Sequence, residues 1–230
     1  LEIKSNLNYD AVANYLNGKG DKPKESNVYS GLLELATYAK LQSNTYHKDV
    51  IDAMMRQPFD AAAIPYKMHL IKDSSLLHAV EYDMGRNGIA YYDTDTADYR
   101  TSGKPGVGNR GGVFRNDGVD IRKSTNLYDS YHVSDIEDGE WLQFTIDVAK
   151  KGVYTLQLSV AAISANGNIS LSEGTKTLAK NITVPATGGW DNWQSINVKN
   201  VALPAGKQTL KIMFIKGGFN LQSIKFIIAK

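Results

Sequence analysis

Trp141-Leu142-Gln143-Phe144-Thr145-Ile146-Asp147-Val148 is apolar at every second position. After Lys151-Gly152 the pattern resumes in Val153-Tyr154-Thr155-Leu156-Gln157-Leu158-Ser159-Val160. A period of two puts Leu142, Phe144, Ile146 and Val148 on one face of a strand and Gln143, Thr145 and Asp147 on the other. The second run does the same with Tyr154, Leu156, Leu158 and Val160, and Lys151-Gly152 supplies a hairpin turn between them. The alternation returns at Leu210, Ile212 and Phe214 and at Ile224, Phe226 and Ile228. Shorter strands are expected at 76–82, 119–123, 169–172 and 194–198. About eight strands with turn signals between them predict a mainly β fold, an antiparallel β-sandwich of jelly-roll type.

Working back from these strands, the period changes near residue 75. Val28, Leu32, Leu35, Ala36 and Ala39 recur at helical spacing after Ser26-Asn27, which reads as an N-cap. A second helix is expected from His47-Lys48-Asp49, burying Val50, Ile51 and Met54 and ending before Pro58. The expected organisation is a helical segment at residues 1–75 and a β-sandwich at residues 76–230. Residues 84–116 show little periodicity, and an irregular stretch of that length is usually functional or held by a metal. Inside it, Gly106-Val107-Gly108-Asn109-Arg110-Gly111 imitates a dinucleotide fingerprint. No strand pattern precedes it and no helix pattern follows, so it reads as a loop.

Composition removes several function classes. The 26 basic and 24 acidic residues leave a net charge of +2, which gives no reason to expect nucleic acid or an anionic membrane as partner. There is no cysteine, hence no disulfide and no thiolate chemistry. No apolar run approaches the ~20 residues of a membrane span. The four histidines show no paired metal spacing. The chain opens at Leu1 without a signal-peptide pattern, and a processed protein or a piece of a longer one is expected.

The stretch richest in binding chemistry is Thr187-Gly188-Gly189-Trp190-Asp191-Asn192-Trp193, followed later by Gly217-Gly218-Phe219-Asn220-Leu221. An exposed indole covers the C–H face of a pyranose ring, and an amide both donates to and accepts from hydroxyls. Glycines and short polar residues around Trp190 favour exposure over a core role. Trp193 leads into a strand and reads as core or rim, and Trp141 lies on the face opposite Leu142, where burial under a loop or the helical segment is expected. For Asn220 a ligand role and a turn role stand side by side. Glu81 is either a surface strand residue or a metal ligand beside the acids of the long loop. Glu137, Asp138 and Glu140 cluster in one turn, where solvated acids are normal, rather than flanking a bond as glycoside hydrolysis requires.

Taken in order, these pieces resemble family 6 carbohydrate-binding modules. The resemblance rests on His78-Ala79-Val80-Glu81-Tyr82, Asn116-Asp117-Gly118-Val119-Asp120-Ile121 and the run from Val133 to Trp141. The Gly-Gly-Trp loop and the closing Gly-Phe-Asn-Leu complete it. Asp49-Val50-Ile51-Asp52-Ala53-Met54-Met55-Arg56-Gln57 and Ile64-Pro65-Tyr66-Lys67 resemble the segment after the catalytic barrel of some bacterial polysaccharide-degrading glycoside hydrolases.

The resemblance implies a cleft among the loops, with Trp190 stacking on a sugar and Asn220 bonding it. The family's second aromatic falls at Asp135, so a tyrosine is expected to substitute: Tyr131 or Tyr92, with Tyr128 and Tyr91 as further choices. It also implies a structural calcium at Glu81, with Gln222 where the family has an acid.

The implied function is non-catalytic binding of a plant or algal polysaccharide or oligosaccharide. The module would target a covalently linked upstream glycoside hydrolase and be secreted, periplasmic or cell-surface in a bacterium. The alternative is a structural accessory domain that buttresses a catalytic domain and keeps a vestigial cleft. An autonomous glycosidase is a third reading.

Overall fold

A computed structural model of the chain describes residues 4–43, 62–94, 109–115, 117–125 and 131–229. The second helix expected from His47, and Tyr128, lie outside them. The chain divides into two compact units, Leu1–Lys48 and Asp49–Lys230.

The first unit holds α1 (Leu7–Leu16) and α2 (Glu25–Tyr38). α1 begins at Asn6, whose side chain accepts from the Tyr9 amide, the usual satisfaction of an orphan N–H. The Asn6 amide also donates to the Gly31 carbonyl at 2.9 Å, tying the two helices together. Gly31 is the buried residue of α2, where a methyl group would overlap Asn8. α2 starts at Glu25 after Lys24, without a side-chain cap, a residue or two before the expected Ser26-Asn27.

The second unit is a β-sandwich of two six-stranded sheets. Its strands are β1 (His69–Ile71), β2 (Ser75–His78), β3 (Tyr91–Tyr92), β4 (Ile121–Lys123), β5 (Tyr131–Val133) and β6 (Trp141–Val148). After these come β7 (Gly152–Ala161), β8 (Gly167–Glu173), β9 (Lys176–Val184), β10 (Gln194–Leu203), β11 (Gly206–Lys216) and β12 (Asn220–Ile228). One sheet runs β1-β6-β11-β8-β9, with β3 also on β6. The other runs β10-β7-β12-β5-β4, with β2 also on β12. Pairing is antiparallel except for β1 on β6. The sandwich takes in residues well before the expected boundary at 76. Ile64 and Met84 exchange backbone hydrogen bonds, and β1 adds an edge to β6.

The two inward faces meet in one core. Leu142, Phe144, Ile146 and Val148 of β6 and Leu210, Ile212 and Phe214 of β11 line one side. Tyr154, Leu156, Leu158 and Val160 of β7 and Leu221, Ile224 and Phe226 of β12 line the other. Each such side chain contributes ~1.5–3 kcal/mol on burial. The alternation that predicts the strands is therefore also what holds the sheets together.

One irregularity positions the site. β12 pairs Leu221 with Val160 but Ser223 with Ser159, so Gln222 is an extra residue, a β-bulge. The bulge breaks the alternation, and Asn220 through Ile224 are all buried. Asn220 begins the strand at the end of the sandwich where the 187–193 loop enters β10.

Candidate functional site

Three chain segments converge at this end: the loop into β10, the start of β12, and the β4–β5 ribbon in which Arg122 pairs with His132. They enclose a groove of about 430 Å³ lined by Trp190, Asn220, His132, Arg122, Lys123 and Val113.

The loop that carries Trp190 is fixed at both ends. Thr187 and Gly188 donate backbone N–H bonds to the Ala162 carbonyl at 2.8 and 3.1 Å, and the Ala162 amide donates to Thr187 Oγ1 at 2.8 Å. On the far side, Asp191 Oδ2 accepts from Thr125 Oγ1 at 2.6 Å. Gly188 has φ +88°, a left-handed conformation that glycine adopts without strain. The indole of Trp190 is 48% exposed on this anchored loop. Trp193 is turned the other way and meets the His132 ring edge-on at 5.1 Å.

Asn220 is buried, and its amide is already oriented. Nδ2 donates to the Trp190 carbonyl at 2.7 Å and faces His132 Nε2 at 3.3 Å. Burial holds the His132 pKa below its ordinary value, against the pull of Asp191, so the ring is neutral at neutral pH. A neutral ring that accepts at Nε2 carries its proton on Nδ1, where Ser124 Oγ lies at 2.9 Å. Both Nδ2 hydrogens are thus spent inside the protein. Among the described residues Oδ1 accepts no hydrogen bond, and the amide offers an acceptor to the groove.

Asp135 holds the position where the resemblance calls for an aromatic. It sits at φ +50°. Its Oδ2 accepts from Arg122 Nε and from Ser134 Oγ, both at 2.8 Å. Burial raises its pKa, but the Arg122 guanidinium and the Ser134 hydroxyl outweigh that and hold the carboxyl below the usual carboxylate value. The acid therefore does not stack; it fixes the guanidinium that lines the groove.

The structure brings Trp190 and Asn220 together, but Tyr131, one residue before His132 on the strand and half-buried against the core, is not among the groove-lining residues. It does not bring Tyr92 there. Tyr92 is on β3 of the other sheet, paired with Trp141. Trp141 is half-buried with Lys211 Nζ 3.5 Å from its ring centroid, a cation–π contact rather than burial under a loop. Tyr91 is a core residue whose hydroxyl accepts from the Gly118 amide.

Glu81 and Gln222, the expected calcium ligands, are both buried. Glu81 Oε1 is ion-paired with Lys67 Nζ, and Oε2 lies 3.9 Å from His69 Nδ1 with no hydrogen bond. Gln222 Oε1 accepts from Ser159 at 3.1 Å. A calcium ion wants six to eight oxygens and negative charge. Here the one carboxylate already faces an ammonium, and among the described residues no group of three His, Asp or Glu is arranged for a metal. These residues as they stand do not fit the ion.

The acids of the β5–β6 turn are occupied as well. Glu140 accepts from the Thr94 and Glu137 amides. Glu137 accepts from Thr94 Oγ1 and Arg110, and Asp138 from Lys216 and the Gly217 amide. They staple loops to one another and leave no pair of carboxylates to flank a glycosidic bond.

A two-sheet jelly roll with an indole and an oriented amide over a groove is the arrangement of a sugar-binding module. The profile "Carbohydrate binding module (family 6)" matches residues 113–227, half of the chain, and the chain belongs to that family. Among solved structures, a family 6 module from Clostridium stercorarium in complex with cellobiose aligns with a TM-score of 0.51. It has 17% identity over 71% of this chain and 98% of its own, which supports the fold. The C-terminal family 6 module of a marine laminarinase from Zobellia galactanivorans is 27% identical over 47% of this chain and 87% of its own, with a TM-score of 0.44. A module of lichenase 5A from Cellvibrio mixtus in complex with cellotriose is 28% identical over 49% and 88%, with a TM-score of 0.45.

Proposed function

We propose that this chain binds a plant or algal polysaccharide without cleaving it, through the groove between Trp190 and Asn220. It would thereby hold an attached glycoside hydrolase at its substrate outside the cell. The observation that supports this most is the pairing of an exposed indole with an amide whose donors are already used. A pyranose lying on Trp190 would bury its C–H face on the ring and donate a hydroxyl proton to Asn220 Oδ1. Arg122, anchored by Asp135, adds further donors at the rim. Holding these groups in place before binding reduces the ordering cost of a weak ligand. A weak module suffices, because tethering raises the effective concentration of the enzyme at the polymer.

The test is affinity electrophoresis of the chain through gels containing xylan, β-glucan, mannan or agarose. Retardation in at least one gel, lost in Trp190→Ala, is the expected result. Migration unchanged in all four gels would remove the reading and leave a structural accessory domain in its place.

A further inference from the structure

Strand alternation sorts the side chains of the β4–β5 ribbon. Ile121 pairs with Val133, and both are core residues. Arg122 pairs with His132, so these two project from the opposite face, the one that lines the groove. About half of the Arg122 side chain is exposed there.

The guanidinium is held from one side. Asp135 Oδ2 accepts from its Nε at 2.8 Å, and the same oxygen accepts from Ser134 Oγ at 2.8 Å. Burial alone would raise the Asp135 carboxyl, but the two donors outweigh it and keep the acid ionised. Among the described residues, Nη1 and Nη2 of Arg122 donate to no protein group. A guanidinium carries five N–H donors in one plane and no acceptor. Anchoring it at Nε fixes that plane and leaves the end-on edge, where Nη1 and Nη2 point two N–H groups in parallel.

That edge is a poor match for sugar hydroxyls. A hydroxyl that accepts from it still carries a proton, and the guanidinium has nothing to receive it. Two oxygens that share a negative charge take both parallel bonds and bring no proton. The other polar groups of the groove do not duplicate this task. Asn220 presents an acceptor, and burial keeps His132 neutral. Asp191 Oδ2 accepts from the Thr125 amide and hydroxyl at 3.3 and 2.6 Å. Asp135 itself holds the position where the resemblance calls for a stacking aromatic. The exchange removes a surface for the apolar face of a neutral sugar and sets a cationic fork beside the groove instead.

We propose that the groove selects a polysaccharide whose units carry an anionic substituent, a carboxylate or a sulfate ester, received end-on by Nη1 and Nη2 of Arg122 while a sugar ring lies on Trp190. Asp135 is the positioning residue that aims the fork. This rests on the groove reading above and narrows its substrate class to acidic polysaccharides.

The experiment is affinity electrophoresis in gels of xylan, β-glucan, mannan and agarose, each in a neutral, a carboxylate-bearing and a sulfated form. Wild type should be retarded by a neutral polymer and more strongly by a charged form of it, by about tenfold in apparent affinity. The charged form that wins tells carboxylate from sulfate. Arg122→Gln should bring charged and neutral forms level while still being retarded by the neutral polymer. Arg122→Lys keeps the charge without the fork and should recover only part of the preference. The net charge of +2 gives a general pull toward anionic gels, which needs its own control. Lys180→Gln removes one positive charge from β9, the exposed edge strand of the other sheet, and should keep the wild-type preference. The Tm of Arg122→Gln should stay near wild type, because an exposed ion pair contributes little. If it falls, Arg122→Lys, which keeps a cation beside Asp135, decides the same question. Equal retardation of wild type by charged and neutral forms would overturn the proposal. So would a preference that survives whole in both Arg122 variants, or one that Lys180→Gln loses to the same extent. In each case retardation by a neutral polymer that is lost in Trp190→Ala leaves the groove reading intact. No Trp190-dependent retardation in any gel would sink the groove reading and the proposal with it.

Discussion

The Trp190 groove and the Glu81 cluster are both polar, both at the ends of strands, and both invited a ligand from sequence. They differ in what their polar atoms are bonded to. Around Glu81 the partners are internal: Lys67 on the carboxylate, His69 Nε2 on the Glu81 carbonyl at 3.2 Å, and Arg115 on the carbonyls of Tyr82 and Asp83. At the groove, Asn220 spends its donors on the protein and keeps its acceptor, and Trp190 keeps about half of its surface exposed. A residue type nominates a site, but its partners decide whether the site is open.

The largest effect belongs to the closed side. The Arg115 side chain is buried, its guanidinium carbon lies 3.6 Å from the centroid of the Tyr82 ring, and it is paired with the buried Asp117 at 3.0 Å. Arg115→Ala strands that carboxylate, and removing one partner of a buried pair costs about 3–5 kcal/mol. Urea unfolding should show a loss of that size; a change under 1 kcal/mol would mean that water reaches Asp117. Trp190→Ala is the mirror case. It should remove about 2–4 kcal/mol of sugar affinity, as a central aromatic anchor does. Its unfolding midpoint should stay close to wild type, since the ring fills no core.

A smaller effect sharpens the contrast at Glu81. Lys67→Met leaves the buried carboxylate with only His69 nearby, and a loss of about 1–2 kcal/mol is expected. In wild type, calcium and chelator should give the same Tm, because Lys67 already answers the charge. A calcium-dependent rise in wild type would show that the lysine yields its place to the ion.

How much of this was legible in the sequence follows from which forces act locally. β6, β7 and β11 each bury one face, so their alternation names both the strand and its core residues. β9 is an edge strand, mostly exposed along Lys176–Val184, and its sequence carries no such alternation. β1, β3 and β5 are two or three residues long and exist because a neighbour offers an edge, which no local pattern records. In the site, Trp190 and Asn220 announced themselves through Gly-Gly turns. What holds the chain before β4 left no such signal, since Asn109 acts through bonds to five backbone groups rather than through any spacing. The loss of the family aromatic at Asp135 was visible, but the guanidinium it holds was not, since Arg122 reaches it across the sheet.

The smallest predicted effect concerns pH, and it tests whether the groove amide is held as described. Burial depresses the His132 pKa, with Arg122 adding to the shift and Asp191 and Asp135 opposing it. The unfolded chain therefore takes up this proton at a higher pH than the folded one. Acidification through the ordinary imidazole range, from about pH 6.5 downward, favours unfolding, and the contribution to stability is whole only above that range. His69 is depressed for the same reason, burial first, so a stability profile alone cannot assign the effect. Binding can, because His69 faces Glu81 and not the groove. Once His132 is protonated, Nε2 becomes a donor and no longer accepts from Asn220. The amide must turn or lose a bond, and Oδ1 is drawn to the ring instead of the groove. Affinity for the retained polysaccharide should be flat from pH 8 to about 6.5 and fall by a few-fold as the ring titrates below that. In His132→Gln the fall should vanish, since glutamine presents no titrating group to Asn220. A pH profile identical in wild type and His132→Gln would show that the amide is set by the Trp190 carbonyl alone.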